Sequence, residues 1–427
     1  MRSCAWLARP FLRLHPWQRV ALAAWVALVA GVGTRVMLRP GRQTVYPIYA
    51  RAGQEWLAGE DVYEVERSAA PPLGSAWELL SPPWRPPVGW GLASFRYGPP
   101  AAALLTPAGL LPGPAGELLW RLGNVAVLLV AARWWLRRGA PYPLTPGQRG
   151  LFLFVLAVLA IGSLNNGQTN PLLLALLLAT FTACAEGRFN LAALCLALAF
   201  WLKLYPLAFG LLLALAYPRR LAWRLPLAVL LMGAAAFLLQ RPGYVAREYV
   251  NFARALSLDD RSDWPAVGAY RDLRLLLRTC GLTVGAGTYA ALRLGGAALV
   301  AGLCWAGRRW PARRRLAGTL HLGLCWVLLC GPATESPTYL LLGPVLGWAL
   351  IDVWRRGGPL ARAAVVVSAA AAGAAVIANL FPWAARVHAL APQPFGALLL
   401  FAVLAARDVR ELLRPAPAAA PPLAAWQ

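Results

Sequence analysis

Apolar runs of about 15–22 residues recur along this chain from end to end, and a run of that length is close to what a helix needs to cross a hydrocarbon core about 30 Å thick. In lipid every backbone amide must find its partner inside the segment, so such runs fold as helices. Composition supports this: 59% of residues are hydrophobic and 14% charged, against about 45–50% apolar and about 25% charged in soluble domains. A soluble globular protein is excluded. The chain reads as an all-α, polytopic integral membrane protein with about twelve transmembrane helices. The expected spans are 18–38, 115–136, 149–164, 170–185, 189–204, 205–218, 225–240, 286–306, 316–331, 338–353, 360–380 and 390–406. Residues 1–414 form one domain, and the Pro/Ala-rich stretch 415–427 reads as a disordered tail.

The net charge of +24 would, taken alone, suggest a nucleic-acid partner. Its distribution says otherwise. With the N-terminus inside, the short connecting segments hold 23 arginines against four acids, Glu186, Asp352, Asp408 and Glu411, which is +19. The opposite side holds 18 bases and 13 acids, or +5. Cytoplasmic flanks of membrane helices carry the positive excess, so both termini are expected on the cytoplasmic side. The charge then sets topology and meets anionic headgroups, and no nucleic-acid partner is implied.

Two segments, 39–114 and 241–285, exceed ordinary connection lengths of about 2–8 residues. Both fall on the outer side. The first opens with an expected helix over Tyr49 to Trp56 and a turn at Ala58-Gly59-Glu60-Asp61, then a Pro-rich passage at 81–87 that resists regular structure. Pro100 to Leu111 is apolar but too short to cross, and reads as a re-entrant or interfacial helix. The basic, apolar N-terminus reads as an uncleaved anchor. The seven cysteines show no CxxC spacing, and of them only Cys280 lies in an outer loop; they read as small apolar helix residues.

Polar groups at membrane depth are costly and mark function. Three clusters stand out: Ser163 to Asn170, Trp201 to Pro206 with Lys203, the single lysine of the chain, and Gly331 to Tyr339 with Glu335. All three face the outer side in this topology, where the two long loops also lie. That convergence points to one active or transport cavity. Each cluster also has a structural reading. Asn and Gln cap helix turns, a Lys at a span end snorkels, and Glu335 between Thr334 and Ser336 can cap. Asp259, Asp260 and Asp263 around Arg261 read as a solvated loop, and His15, His321 and His388 show no ligand spacing.

The ordered succession Tyr49-Ala50-Arg51-Ala52-Gly53, Gly59-Glu60-Asp61-Val62-Tyr63, Phe95-Arg96-Tyr97-Gly98-Pro99-Pro100, Leu119-Trp120-Arg121-Leu122-Gly123-Asn124, Asn166-Gly167-Gln168-Thr169-Asn170 and Leu202-Lys203-Leu204-Tyr205-Pro206 resembles glycosyltransferase family 87, over roughly residues 40 to 355. The resemblance implies the C-type membrane glycosyltransferase fold, a polyprenyl-phosphate sugar donor of the mannose type, a lipid or glycan acceptor, and inverting transfer on the extracytoplasmic face. Characterised members resemble one another in an Asp base just after the first span; here Gln43-Thr44-Val45-Tyr46-Pro47 holds no carboxylate. The paired His that the family carries later is also missing from Gly331 to Tyr339.

Inverting transfer needs a base for the acceptor hydroxyl and cations or amides for the departing phosphate. The candidate bases nearest these motifs are Glu60, Asp61 and Glu335. Arg51, Arg96 and Lys203 are the expected phosphate partners, with Tyr97, Asn166, Gln168, Asn170 and Tyr205 placed for sugar or phosphate oxygens. No metal ligand set and no cofactor is expected, although the paired Asp259 and Asp260 leave a metal open. A multispan transporter or lipid-carrier translocase, and a non-catalytic binder of lipid-linked sugar, are the alternatives.

Overall fold

The computed structural model describes residues 14–41, 44–63, 95–111, 113–257, 261, 264, 266, 268–379, 381 and 384–413. The Pro-rich passage 81–87, the tail 415–427, Cys4, Gln43 and the acids Glu64, Glu66, Glu78, Asp259, Asp260 and Asp263 lie outside the described residues. The described residues contain helices and no strand. In chain order these are α1 (Pro16–Leu38), α2 (Tyr46–Ala58), α3 (Pro99–Leu104), α4 (Thr106–Leu110), α5 (Gly113–Trp134), α6 (Pro146–Asn166), α7 (Asn170–Ala185), α8 (Phe189–Leu202), α9 (Pro206–Ala216) and α10 (Pro218–Leu221). They continue as α11 (Arg224–Leu239), α12 (Pro242–Ser257), α13 (Leu273–Thr279), α14 (Ala286–Ala306), α15 (Ala312–Cys330), a 3-10 turn (Ser336–Leu342) running into α16 (Gly343–Arg356), α17 (Pro359–Ala378), α18 (Ala384–Ala389) and α19 (Pro392–Leu413).

Each of the twelve expected spans falls on a helix, and seven helical segments are long and apolar enough to cross a membrane by length and composition. Many open with Pro at the first turn, where the missing N–H is one the helix would not have used. α6 is a full-length helix of 21 residues, but α7, α8 and α9 are 16, 14 and 11 residues long. The single helix expected over Pro100 to Leu111 is two short ones, because Pro107 cannot donate the amide hydrogen that would continue the first turn back to Ala103.

Burial separates a centre from a periphery. Of the most apolar window in Ser336–Arg356, 83% is buried, against 22% in α1, α11 and α14. The outer helices are apolar all round because their far faces meet lipid. In the centre, where lipid and protein are equally apolar, close approach is what stabilises. Gly347 of α16 shows it: a Cβ there would stand 2.9 Å from the Phe152 ring of α6.

At the end of the bundle carrying the short connections, all four expected acids form ion pairs. Arg314 meets Asp408 at 2.6 Å and Glu411 at 2.8 Å, Arg407 meets Asp352 at 2.9 Å and Asp408 at 3.1 Å, and Arg356 meets Asp352 at 2.5 Å. Glu186 lies 3.8 Å from Arg138 and Arg188. The first set ties α15, α16 and α19 together. Asp408 is 1% exposed, so Asp408→Asn leaves Arg314 and Arg407 beside a neutral group. Arg314 keeps Glu411 and Arg407 keeps Asp352, so the loss is that of hydrogen bonds to a charged group, about 1.5–3 kcal/mol, expected as a fall in Tm of the detergent-solubilised protein; an unchanged Tm would contradict it.

Candidate active site

The three polar clusters meet at the opposite end, where the long loops lie. The first forms the turn between α6 and α7. Gly167 closes α6 with φ 68°, and a Cβ there would press on the Thr44 hydroxyl and Arg121 guanidinium at 3.0 and 3.1 Å. Glycine is therefore required both for the left-handed backbone and for the close approach. Arg121 on α5, 4% exposed and paired with Glu117 at 2.8 Å, caps the end of α6. Its Nε donates to the Leu164 carbonyl at 2.7 Å and its Nη2 to the Asn165 carbonyl at 3.1 Å, two of the carbonyls a helix end leaves unsatisfied. Trp120 Nε1 donates to the Gly167 carbonyl at 2.8 Å, and Asn124 Oδ1 accepts from the Leu172 amide. The Trp120–Arg121–Asn124 group is thus the clamp that orients this turn.

From the clamped turn a relay of polar contacts runs across the bundle. Lys203, in the break between α8 and α9, donates from Nζ to Asn170 Oδ1 at 2.9 Å. Asn170 Nδ2 donates to Gln168 Oε1 at 2.5 Å and to Ser163 Oγ at 3.2 Å. Gln168 Nε2 donates to Glu335 Oε2 at 2.9 Å, and Arg261 Nη1 donates to Glu335 Oε1 at 3.1 Å. Three segments far apart in sequence, around Gln168, Lys203 and Arg261, therefore converge on the carboxylate of a fourth. Glu335 keeps 36% of its side chain open, so the convergence leaves access. Burial pushes its carboxyl upward, but Arg261 foremost, then Lys203, the Gln168 hydrogen bond and Arg96, hold it below the usual carboxylate range.

An aromatic wall adjoins the relay. Tyr97 OH lies 2.8 Å from Tyr49 OH and accepts from Thr169 Oγ1 at 3.5 Å. Gly98 brings that segment onto α8, since its amide donates to the Trp201 carbonyl at 3.2 Å and a Cβ would strike the Trp201 ring at 2.4 Å. Lys203 Nζ sits 5.7 Å from the centre of the Tyr205 ring. The Tyr205 hydroxyl is buried with no hydrogen-bond partner among the described residues.

The other expected residues lie elsewhere or do other work. Asp61 Oδ1 accepts from the Tyr63 amide at 2.9 Å, the Glu60 carbonyl accepts from Tyr244 OH at 2.8 Å, and the Val62 amide donates to buried Glu248 at 3.0 Å. The Glu60 carbonyl and the Val62 amide thus fasten the end of α2 to α12, and among the described residues Glu60 and Asp61 share no hydrogen bond or ion pair with the Glu335 relay. Arg51 pairs with Glu55 at 2.6 Å on the exposed side of α2. The Asn166 backbone carbonyl accepts from the Val45 amide at 2.9 Å, tying the start of α2 to this turn. Arg96 remains within electrostatic reach of Glu335 and Tyr97. Arg261 and Tyr49 are additions. Tyr49 stands in the first sequence motif, whereas Arg261 is masked in sequence by the acids beside it.

The sequence profile of glycosyltransferase family 87 matches residues 95–332. The chain belongs to glycosyltransferase family 87. The matched stretch contains the Arg96–Tyr97 segment, the Trp120–Arg121–Asn124 clamp, the Gln168–Asn170 turn, Lys203 and Arg261, and Glu335 lies just beyond it. Membership makes the protein a membrane glycosyltransferase. The stretch after α1 lies outside the matched residues; there the Thr44 hydroxyl accepts from Arg121 Nη2 at 3.1 Å and from the Tyr46 amide at 3.2 Å, and so supports the clamp. Among the described residues, no three His, Cys, Asp or Glu side chains are grouped to hold a metal ion.

Proposed function

We propose that this chain transfers a mannose-like hexose from a polyprenyl-phosphate donor to a lipid or glycan acceptor, with inversion, at the extracytoplasmic face of a bacterial plasma membrane, through a bundle of about twelve crossings with both termini cytoplasmic. The observation carrying the reading is the Lys203–Asn170–Gln168–Glu335 relay, which sets a cation and an ionised carboxylate at opposite ends of one short hydrogen-bonded path. An inverting displacement needs that pairing. The acceptor oxygen forms the new bond to the anomeric carbon and gives its proton to Glu335. The bond from that carbon to the phosphate oxygen breaks, and polyprenyl phosphate leaves with the electron pair beside Lys203 and Arg96. The charge a metal would otherwise supply comes from these side chains, and no cofactor is assigned. Tyr205, with its hydroxyl unpartnered, and Tyr97 are placed to meet sugar oxygens. The donor phosphate is assigned to Lys203 and Arg96 rather than to Arg51.

Purified protein incubated with polyprenyl-phosphate hexoses and extracted membrane lipids is expected to yield a hexosylated lipid and free polyprenyl phosphate, resolved by mass spectrometry. Folded protein that binds donor and turns over none of them would leave the non-catalytic reading, which the absence of a carboxylate from residues 43–47 favours. Donor movement across a vesicle bilayer without transfer would favour a translocase.

A further inference from the structure

A second concavity, of about 290 Å³, is floored by Gly331, Pro332 and Ala333, which lead into Glu335, and walled by α13 and the first turns of α14. Among the described residues, Arg261, Arg274, Arg278 and Arg293 line it against one carboxylate, Asp272. Asp272 is already engaged: Oδ1 accepts from the Leu275 amide at 3.1 Å and Oδ2 from Tyr289 OH at 3.0 Å. Arg274 and Arg293 flank the Tyr289 ring, 5.8 and 5.9 Å from its centre, and form no ion pair among the described residues. Arg261 is paired with Glu335 at 3.1 Å and Arg278 donates to the Trp264 carbonyl at 2.9 Å, so Arg274 and Arg293 are the two that offer charge to an anion, and their planar forks match phosphate oxygens.

The position indicates where the anion comes from. Arg293 lies seven residues beyond the start of α14, about 10 Å along the helix axis, and its neighbours Leu292 and Leu294 are 44% and 71% exposed. Exposed leucines at that depth of an apolar helix meet acyl chains, so the cavity borders the level where lipid headgroups join their tails. We propose that this cavity takes the phosphate of a membrane lipid headgroup, separately from the donor phosphate at Lys203. Arg261 belongs to both places, lining the cavity and donating to Glu335. A bound phosphate therefore draws Arg261 away from Glu335 and strengthens that carboxylate as a base. This coupling rests on the assignment of Glu335 above, but the binding does not.

Binding is tested without any donor or turnover, so its failure is distinct from failure of the transferase reading. The full chain in uncharged micelles is titrated with dioleoyl phosphatidic acid, dioleoylglycerol or inorganic phosphate, and retained lipid is read by native mass spectrometry. Phosphatidic acid is expected to bind and dioleoylglycerol not. The double variant Arg274→Gln/Arg293→Gln is expected to bind about tenfold more weakly or worse, with its Tm unchanged, and Arg293→Lys to recover part of the affinity. Arg220→Gln/Arg224→Gln, at the other end of the bundle, is expected to bind as the unmodified protein does. Equal binding by the Arg274/Arg293 variant, or loss through the Arg220/Arg224 pair instead, overturns the site. Inorganic phosphate binding as tightly as the lipid overturns the lipid source. Should the double variant unfold, Arg293→Gln alone carries the same comparison.

Discussion

Glu335→Gln is expected to lower the transfer rate about 10²- to 10⁴-fold, the usual contribution of a positioned general base, while donor affinity stays within a few-fold. The amide preserves the size of the side chain, so the Gly331–Glu335 loop keeps its packing: Arg271 still donates to the Thr334 carbonyl at 2.6 Å and Glu335 N to Thr338 Oγ1 at 3.3 Å. What disappears is the charge that Arg261 and Gln168 converge upon. Glu60→Gln and Asp61→Asn, outside the relay, are expected to leave the rate nearly unchanged. A folded Glu335→Gln protein within about tenfold of the original rate would remove Glu335 as the base, and loss of turnover in Asp61→Asn would move the role there.

The pH response has a definite sign. Arg261 and Lys203 hold the Glu335 carboxyl below the usual range, so it is ionised throughout the neutral region and the rate is flat there as far as this group is concerned. The acid limb falls below the ordinary glutamate pKa of about 4.3. Stability follows the same direction. A lowered folded pKa contributes stability above the unfolded value, which is lost as pH falls through the folded one.

Lys203→Met is expected to cost about 10²- to 10³-fold in turnover, comparable to removing one preorganised donor from a developing oxyanion. Met keeps the length but loses the charge above the Tyr205 ring, and it leaves Asn170 Oδ1 without its donor at 2.9 Å and the departing phosphate of the proposed reaction without this cation. Lys203→Arg restores charge in a bulkier, planar form and is expected to recover part of the rate. A sound test measures the dissociation constant for a non-transferable donor analogue beside the turnover. A change in affinity alone would make Lys203 a binding residue only, and an unchanged rate would place the leaving phosphate elsewhere.

The helices were legible in the sequence because apolar runs separated by arginines leave little else to build, and the convergence of the three polar clusters followed from counting crossings. The relay within them was not. Glu60, Asp61 and Glu335 are the same chemistry in sequence; what differs is the partners that the fold brings to each. The motif around Glu60 and Asp61 meets α12, its backbone bonded to Tyr244 and Glu248. Arg121 stood in a quoted motif, yet nothing local says that its side chain caps a helix 43 residues further on. Arg261 was hidden by its neighbours: an arginine among three acids reads as solvated until Glu335, 74 positions away, comes alongside.

The brevity of α7, α8 and α9 has a bearing on how a long-chain donor gets in. Eleven residues of helix rise only about 16 Å and sixteen about 24 Å, short of the roughly 30 Å hydrocarbon slab, so the bilayer beside them is pinched or replaced by protein. Asn170 and Lys203 lie at the ends of these stubs and meet there at 2.9 Å. For the polyprenyl-phosphate donor proposed above, helices this short would let the chain stay in oil while its phosphate slides sideways to meet the lysine. The hydrocarbon would then not have to be lifted into water, and the thickness of the host membrane would become a variable that tunes delivery.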